Sequence, residues 1–139
     1  MNKYVLDTCI CSYIIKGKSD TAENLFENII KHEKDKLLIT IFNHAELFTG
    51  VLLKESSRLK RAVEAFVERL SLLYFTEAAS FEYAKIRSEL QKTGTPLEDM
   101  DMLIAACCIA EKAVLVTNNT KHFSRIRNLK TENWTAIQA

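Results

Sequence analysis

KYVLDT, residues 3–8, is a short apolar run that ends in the carboxylate of Asp7. A run of this length and composition is typical of a buried strand. Thr8 can cap the helix that we expect over about residues 9–16. The fold is therefore expected to begin with a strand, a carboxylate at its carboxyl end and then a helix.

The same succession of strand and helix recurs along the rest of the chain. Further strands are predicted at residues 36–40, 72–75, 113–117 and, from a weaker pattern, 129–134. A further helix is predicted from Thr21 onward, with Leu25, Ile29 and Ile30 facing inward. Others are predicted over residues 42–53, 59–70, 79–90 and 100–110, and the last of these is apolar nearly all round, which indicates a core helix. This alternation predicts an α/β fold with a central parallel sheet of four to five strands that helices cover on both faces.

Composition limits the class of protein. The chain has 139 residues, of which 47% are hydrophobic, so we expect one domain over residues 1–139 with an ample core. No apolar run approaches the roughly 20 residues that span a membrane, and the N-terminus lacks a secretion signal, so a cytoplasmic protein is expected. The net charge of +1 argues against a uniformly basic coat for nucleic acid. The four cysteines have no C-x-x-C spacing and are expected to be free thiols.

Oxygen-bearing side chains from separate segments are predicted to meet at one edge of the sheet. Ligands of parallel sheets bind beyond the carboxyl ends of the strands, where Asp7 and Asn119 would lie. Glu46 would follow the second strand by one helical turn, and Asp99 and Asp101 would lie in the first turn of the 100–110 helix. Each residue alone has an ordinary structural explanation, such as helix capping, so the prediction depends on their convergence.

Converging carboxylates repel one another, and the repulsion raises their pKa values unless a cation lies between them. Oxygen ligands favour Mg²⁺ or Mn²⁺ over zinc. A hard divalent cation can lower the pKa of a bound water and stabilise charge on a phosphate. The sequence therefore favours metal-dependent hydrolysis of a phosphodiester bond.

Five short motifs in this order resemble those of PIN-domain ribonucleases, and most closely the VapC toxins of bacterial and archaeal toxin–antitoxin pairs. The motifs are Val5–Thr8, Ala45–Leu47 with Gly50, Gly94–Pro96, Asp101–Ala106 and Val116–Thr120. The resemblance implies a three-layer α/β/α PIN-like fold and an endoribonuclease that depends on Mg²⁺ or Mn²⁺. It also implies a structured RNA substrate such as a tRNA, a homodimer, and a VapB-type antitoxin through which alone the complex contacts DNA.

The resemblance also assigns roles to residues. By motif, Asp7 and Asp101 match the principal metal ligands and Glu46 matches the third acid. Asn119 stands where many members carry a fourth acid, and it is expected to position water. From its place two residues before Asp101, we infer that Asp99 supplies part of the missing charge and completes the metal shell.

Other features of the sequence leave two alternatives open. An Asp at the end of a strand, as Asp7 is, would also suit an aspartyl-nucleophile phosphatase. Such an enzyme generally needs a second acid two residues later, and Cys9 stands there instead, at a place where Asn is common in the PIN-domain family. Asn119 in place of an acid would also suit a catalytically silent PIN-like binding module.

Charged residues beyond the fourth strand complete the predictions. A basic cluster is expected to contact RNA phosphates: Lys121, Arg125, Arg127 and Lys130. All three histidines, His122 among them, are expected to have surface or core roles.

Overall fold

A five-stranded sheet forms the centre of the molecule in a computed structural model that describes residues 1–135. The strands are β1 (Lys3–Leu6), β2 (Lys36–Thr40), β3 (Ser71–Leu73), β4 (Val114–Val116) and β5 (Thr131–Glu132). All neighbouring strands are parallel, and their order across the sheet is β3-β2-β1-β4-β5. The predicted α/β class with a parallel sheet is confirmed. The predicted single domain extends to residues 136–139, which lie outside the described residues.

Seven helices lie among the described residues. They are α1 (Thr8–Lys16), α2 (Asp20–Lys31), α3 (Ile41–Lys54), α4 (Ser57–Glu68), α5 (Glu77–Thr93), α6 (Asp99–Glu111) and α7 (Thr120–Phe123). The first six were predicted, with ends that differ by a few residues. The four-residue α7 was not predicted, because one turn is too short to produce a periodic apolar pattern. The predicted cap of α1 was wrong by one residue, since Asp7 and not Thr8 is the N-cap.

The sheet buries both of its faces, which produces three layers. Side chains alternate along a strand, so Tyr4 and Leu6 of β1 pack on one side while Val5 packs on the other. Helices α1 to α4 cover the first side, and α5 and α6 cover the second. Ile30 was expected on the inner face of α2, but it is 69% exposed.

Helix α6 is the most deeply buried helix, as its nearly uniform apolar sequence predicted. Its buried residues are Met102, Ile104, Ala105, Ala106, Cys107 and Cys108. All four cysteines of the chain are free thiols, as expected. No helix within residues 1–135 has the length and apolar character needed to cross a membrane.

The strand register brings distant residues together at the carboxyl edge of the sheet. Leu6 pairs with Val116, and the Asp7 N–H continues this ladder by donating to the Val116 carbonyl at 2.9 Å. Asp7 and Thr117 are therefore neighbours although 110 residues separate them. Helices α1 and α3 both begin at this edge, because they follow directly on β1 and β2.

Candidate active site

Asp7 joins the sheet to the candidate site. Its Oδ1 accepts a hydrogen bond from the Thr8 N–H at 2.9 Å, and its Oδ2 accepts one from the Thr117 hydroxyl at 3.0 Å. Burial raises the pKa of Asp7 above its ordinary value, the two hydrogen bonds oppose that rise, and the negative charge of Asp101 adds to it. The side chain is thus fixed in place, and its anionic form is less favourable than that of a solvent-exposed aspartate.

Glu46 reaches the same environment from the second turn of α3. Its Oε1 accepts a hydrogen bond from the Thr8 hydroxyl at 2.8 Å. Burial raises the pKa of Glu46, the Thr8 hydroxyl lowers it, and the charges of Asp7, Asp101 and Glu98 raise it further. The charge of Asp101 thus acts on both Asp7 and Glu46, and the assignment of the three acids to one metal site stays a prediction.

Asp101 lies in the first turn of α6 and meets a partner from α7. The two are joined by a 2.9 Å hydrogen bond between His122 Nε2 and Asp101 Oδ2. Because an ionised carboxylate only accepts, the imidazole N–H donates. The sequence did not predict this contact, because α7, the helix that carries His122, was not predicted. The expected surface or core role of His122 stays a prediction.

Asp99 is oriented toward α5. Its Oδ1 accepts a hydrogen bond from the Tyr83 hydroxyl at 3.0 Å, and that hydroxyl accepts one from Arg87 Nη1 at 3.1 Å. The neighbouring acid Glu98, rather than Asp99, is among the charges that raise the pKa of Glu46. The assignment of Asp99 to the metal shell stays a prediction.

Asn119 and its neighbour Asn118 form the rim of the site. The Asn119 N–H donates to the Thr117 hydroxyl oxygen at 3.1 Å, so its backbone is tied to the residue that holds Asp7. The Cys9 thiol donates to Asn118 Oδ1 at 3.1 Å, and burial raises the pKa of that thiol. Cys9 is therefore a neutral donor here and not a thiolate. The role of Asn119 in positioning water stays a prediction.

Sequence reasoning missed the neutral residues that hold the carboxylates. Thr8 donates its N–H to Asp7 and its hydroxyl to Glu46, and it accepts a hydrogen bond from Asn43 at 3.0 Å. Thr117 holds Asp7 from the other side. Thr8 and Thr117 were visible only as ends of predicted elements, and the sequence carries no signal for Asn43, whose partner lies 35 residues away.

The donor chemistry of the site fits a hard divalent cation. Asp7, Glu46 and Asp101 present carboxylate oxygens. A cation between them would relieve the repulsion among their negative charges. Within residues 1–135, however, no group of three or more His, Cys, Asp or Glu side chains is arranged to hold an ion directly. Mg²⁺ usually binds one or two carboxylates and keeps several waters, so the fit is to a hydrated ion and not to a closed cage.

Comparisons with known proteins match nearly the whole chain. The PIN domain family model matches residues 4–129. Ribonuclease VapC2 of Rickettsia felis is 39% identical over 132 residues, which are 94% of this chain and 97% of the relative. The tRNA(fMet)-specific endonuclease VapC of Shigella flexneri is 34% identical over 135 residues, 96% of this chain and 99% of the relative.

Solved structures show the same fold. VapBC2 from Rickettsia felis, bound to a DNA fragment from its promoter, matches with a TM-score of 0.82 and 36% identity, over 95% of this chain and 98% of that chain. DNA-bound VapBC from Salmonella typhimurium matches with a TM-score of 0.83 and 32% identity, over 96% and 99% of the two chains.

Proposed function

The chain belongs to the PIN-domain family, among the VapC ribonucleases, and from that premise we propose that it is a metal-dependent endoribonuclease toxin. The observation that carries the proposal is that Thr8 holds both Asp7 and Glu46 at the carboxyl edge of the sheet, where the charge of Asp101 raises the pKa of each. The relatives named as ribonuclease and as tRNA(fMet)-specific endonuclease support hydrolysis of RNA, with a structured RNA such as a tRNA as substrate.

We assign the metal site to these carboxylates, with Asp7 and Asp101 as the principal ligands and Glu46 as the third acid. A bound Mg²⁺ or Mn²⁺ would supply a water of lowered pKa and would neutralise charge that develops on the phosphate. Because no ready-made three-ligand group is present within residues 1–135, we expect Glu46 to act through water. We expect a smaller contribution from Asp99, whose Oδ1 is engaged by Tyr83.

The remaining site residues keep the acids in position. Thr8 and Thr117 fix both oxygens of Asp7, so its ligating geometry is set before substrate arrives. The hydrogen bond from His122 fixes Asp101 Oδ2. The Asn119 amide, at the exposed rim, would orient a water by hydrogen bonding without adding negative charge.

A cognate antitoxin is the proposed protein partner. Three of the matching solved structures are VapBC toxin–antitoxin complexes, and two of these three contain DNA. We therefore propose a VapB-type antitoxin that covers the acidic site of a homodimeric toxin, with DNA contacted only through the antitoxin.

A cleavage assay tests the function. Purified protein is incubated with total RNA and with tRNA, each with and without Mg²⁺ or Mn²⁺. The ends of the cleaved RNA fragments are then mapped by sequencing. We expect metal-dependent cuts that Asp7→Asn and Asp101→Asn abolish. Asp35→Asn is the matched control, because Asp35 accepts a hydrogen bond from the Asn2 N–H at the opposite edge of the sheet. Cleavage by Asp7→Asn at the wild-type rate would refute the assignment.

The same preparations separate the two alternatives. A silent binding module would neither cut RNA nor gain thermal stability from Mg²⁺. A phosphatase would form a phospho-aspartate at Asp7, which mass spectrometry of the trapped protein would detect.

A further inference from the structure

A chain of hydrogen bonds connects a buried side chain in the first turn of α3 to the site carboxylate Glu46. Asn43 is fully buried in the first turn of α3, and its Nδ2 donates to Thr8 Oγ1 at 3.0 Å. Thr8 Oγ1 in turn donates to Glu46 Oε1 at 2.8 Å. A buried amide is thus connected to a candidate metal-site acid through a single hydroxyl.

The direction of this chain follows from the partners of Asn43. Its Oδ1 accepts from the Thr40 N–H at 2.9 Å and from the Thr40 hydroxyl at 2.7 Å, so the amide oxygen faces Thr40 and the amide nitrogen faces Thr8. The Thr8 hydroxyl has one proton. Because an amide NH₂ only donates, that proton must point to Glu46.

We propose that Asn43 is a positioning residue of the active site, which orients the Thr8 hydroxyl so that Glu46 is held as an acceptor beside Asp7. The inference rests on the proposed metal-dependent function. Thr8 holds both carboxylates, because its N–H donates to Asp7 and its hydroxyl donates to Glu46. The orientation of Thr8 therefore affects two candidate metal ligands. Residues that hydrogen-bond to metal ligands commonly set the orientation of those ligands and the affinity of the site for its metal.

Helix capping alone does not explain the arrangement. Thr40 and Asn43 form a capping box at the start of α3, with the Asn43 N–H donating to Thr40 Oγ1 at 3.1 Å. That box uses the backbone N–H and Oδ1 of Asn43. The Nδ2 group is left over, and its hydrogen bond to Thr8 crosses from α3 to α1, the helix that Asp7 caps.

A double-mutant cycle on metal binding tests the proposal. The Mn²⁺ affinity of the full chain is measured by electron paramagnetic resonance without RNA, for wild type, Asn43→Ala, Thr8→Val and the double variant. Thr8→Ser restores the hydroxyl. Thr76→Ala is the control for loss of a cap, because Thr76 Oγ1 accepts the Ala79 N–H at the start of α5, away from the site.

We expect each single variant to raise the Mn²⁺ dissociation constant by about tenfold, and the double variant to be no worse than Thr8→Val. Thr8→Ser should recover most of the Mn²⁺ affinity that Thr8→Val loses, and Thr76→Ala should bind Mn²⁺ as wild type does. Wild-type affinity in Asn43→Ala, or losses that add in the double variant, would overturn the inference alone. Absence of Mn²⁺ binding by wild type would instead overturn the proposed function and the inference with it.

Asn43→Ser serves if Asn43→Ala does not fold. Its hydroxyl can still accept from Thr40, but it is too short to reach Thr8. Wild-type Mn²⁺ affinity in that variant overturns the inference, and a weakened affinity that Thr76→Ala does not share supports it.

Discussion

Asp7 combines a structural and a chemical task in one carboxylate, and the two tasks make opposite demands on stability. As the N-cap of α1 it stabilises the fold. As a buried acid with a raised pKa it destabilises the metal-free fold whenever it is ionised. Asparagine is an equally good cap without the charge, so Asp7→Asn separates the tasks.

We predict that Asp7→Asn raises the Tm of the metal-free protein at neutral pH while abolishing cleavage. The folded pKa lies above the unfolded value, so the folded state binds more protons and the cost of ionisation is complete only above the folded pKa. The gain in Tm over wild type should therefore shrink as the pH falls toward the unfolded pKa. Differential scanning calorimetry at several pH values measures the difference in Tm between the variant and wild type. A lower Tm for the variant at neutral pH would contradict the prediction.

At the scale of residues, the sequence revealed charged groups and missed neutral ones. The places of Asp7, Glu46 and Asp101 on their elements were predictable. Asp7 directly follows β1, Glu46 lies little more than one helical turn beyond β2, and Asp101 lies in the first turn of α6. The roles of His122 and Asn43 were not predictable, because they depend on partners 21 and 35 residues away and on which way a side chain points. Periodicity places a residue on an element but does not choose its hydrogen-bond partner.

At the scale of elements, helix α5 is capped by Gly94, the residue that follows Thr93, in a left-handed backbone conformation that glycine adopts most easily. Gly94 has a φ of 68°, and an added Cβ would meet no atom within 4 Å. We predict that Gly94→Ala lowers the free energy of unfolding by about 1 kcal/mol from left-handed strain alone. Gly50, inside α3, also has open space, and Gly50→Ala should raise that free energy by about 1 kcal/mol. Urea unfolding measures both changes in the free energy of unfolding. Changes of the same sign in Gly94→Ala and Gly50→Ala would contradict the prediction.

The short helix α7 carries the exposed cation Lys121 next to His122, and Arg125 follows the helix with its Nη1 3.5 Å from the Pro96 carbonyl. We predict that Lys121→Ala and Arg125→Ala each reduce the salt dependence of RNA binding, by about 0.7 in the slope of log K against log salt for a single-stranded target. Fluorescence anisotropy at several salt concentrations measures the slope. Lys54→Ala, at the far end of α3, should leave it unchanged, and an equal change there would count against a phosphate contact near α7.

The sequence identified long elements clearly and short ones poorly. Helix α4 was clear because its apolar residues recur with helical spacing. The two-residue β5 was predicted only from a weak pattern and with wider bounds, and the four-residue α7 was missed, because neither has enough residues for a period to appear. Ile30 shows the opposite error, since an apolar residue adjacent to the inner stripe of α2 was placed inside although it faces solvent.

For the molecule as a whole, metal and protons should compete for the same acids. The raised pKa values of Asp7 and Glu46 mean that both bind protons more readily than free carboxyls. We predict that Mg²⁺ raises the Tm at about pH 7.5 and does so less at about pH 5.5, because ligands must lose their protons to bind. Thermal melts with and without Mg²⁺ test this, with Asp7→Asn as the control that should show little response. A Mg²⁺ effect that grows on acidification would contradict it.

The position of β1 in the middle of the sheet has a consequence for synthesis. The strand that leaves the ribosome first needs β4, made more than a hundred residues later, as one of its two neighbours. Thr117 and His122, which hold Asp7 and Asp101, arrive later still. A nascent polypeptide that stops short of Thr117 and His122 therefore carries the acidic residues without the side chains that hold them, and nuclease activity should arise only after these residues have been made.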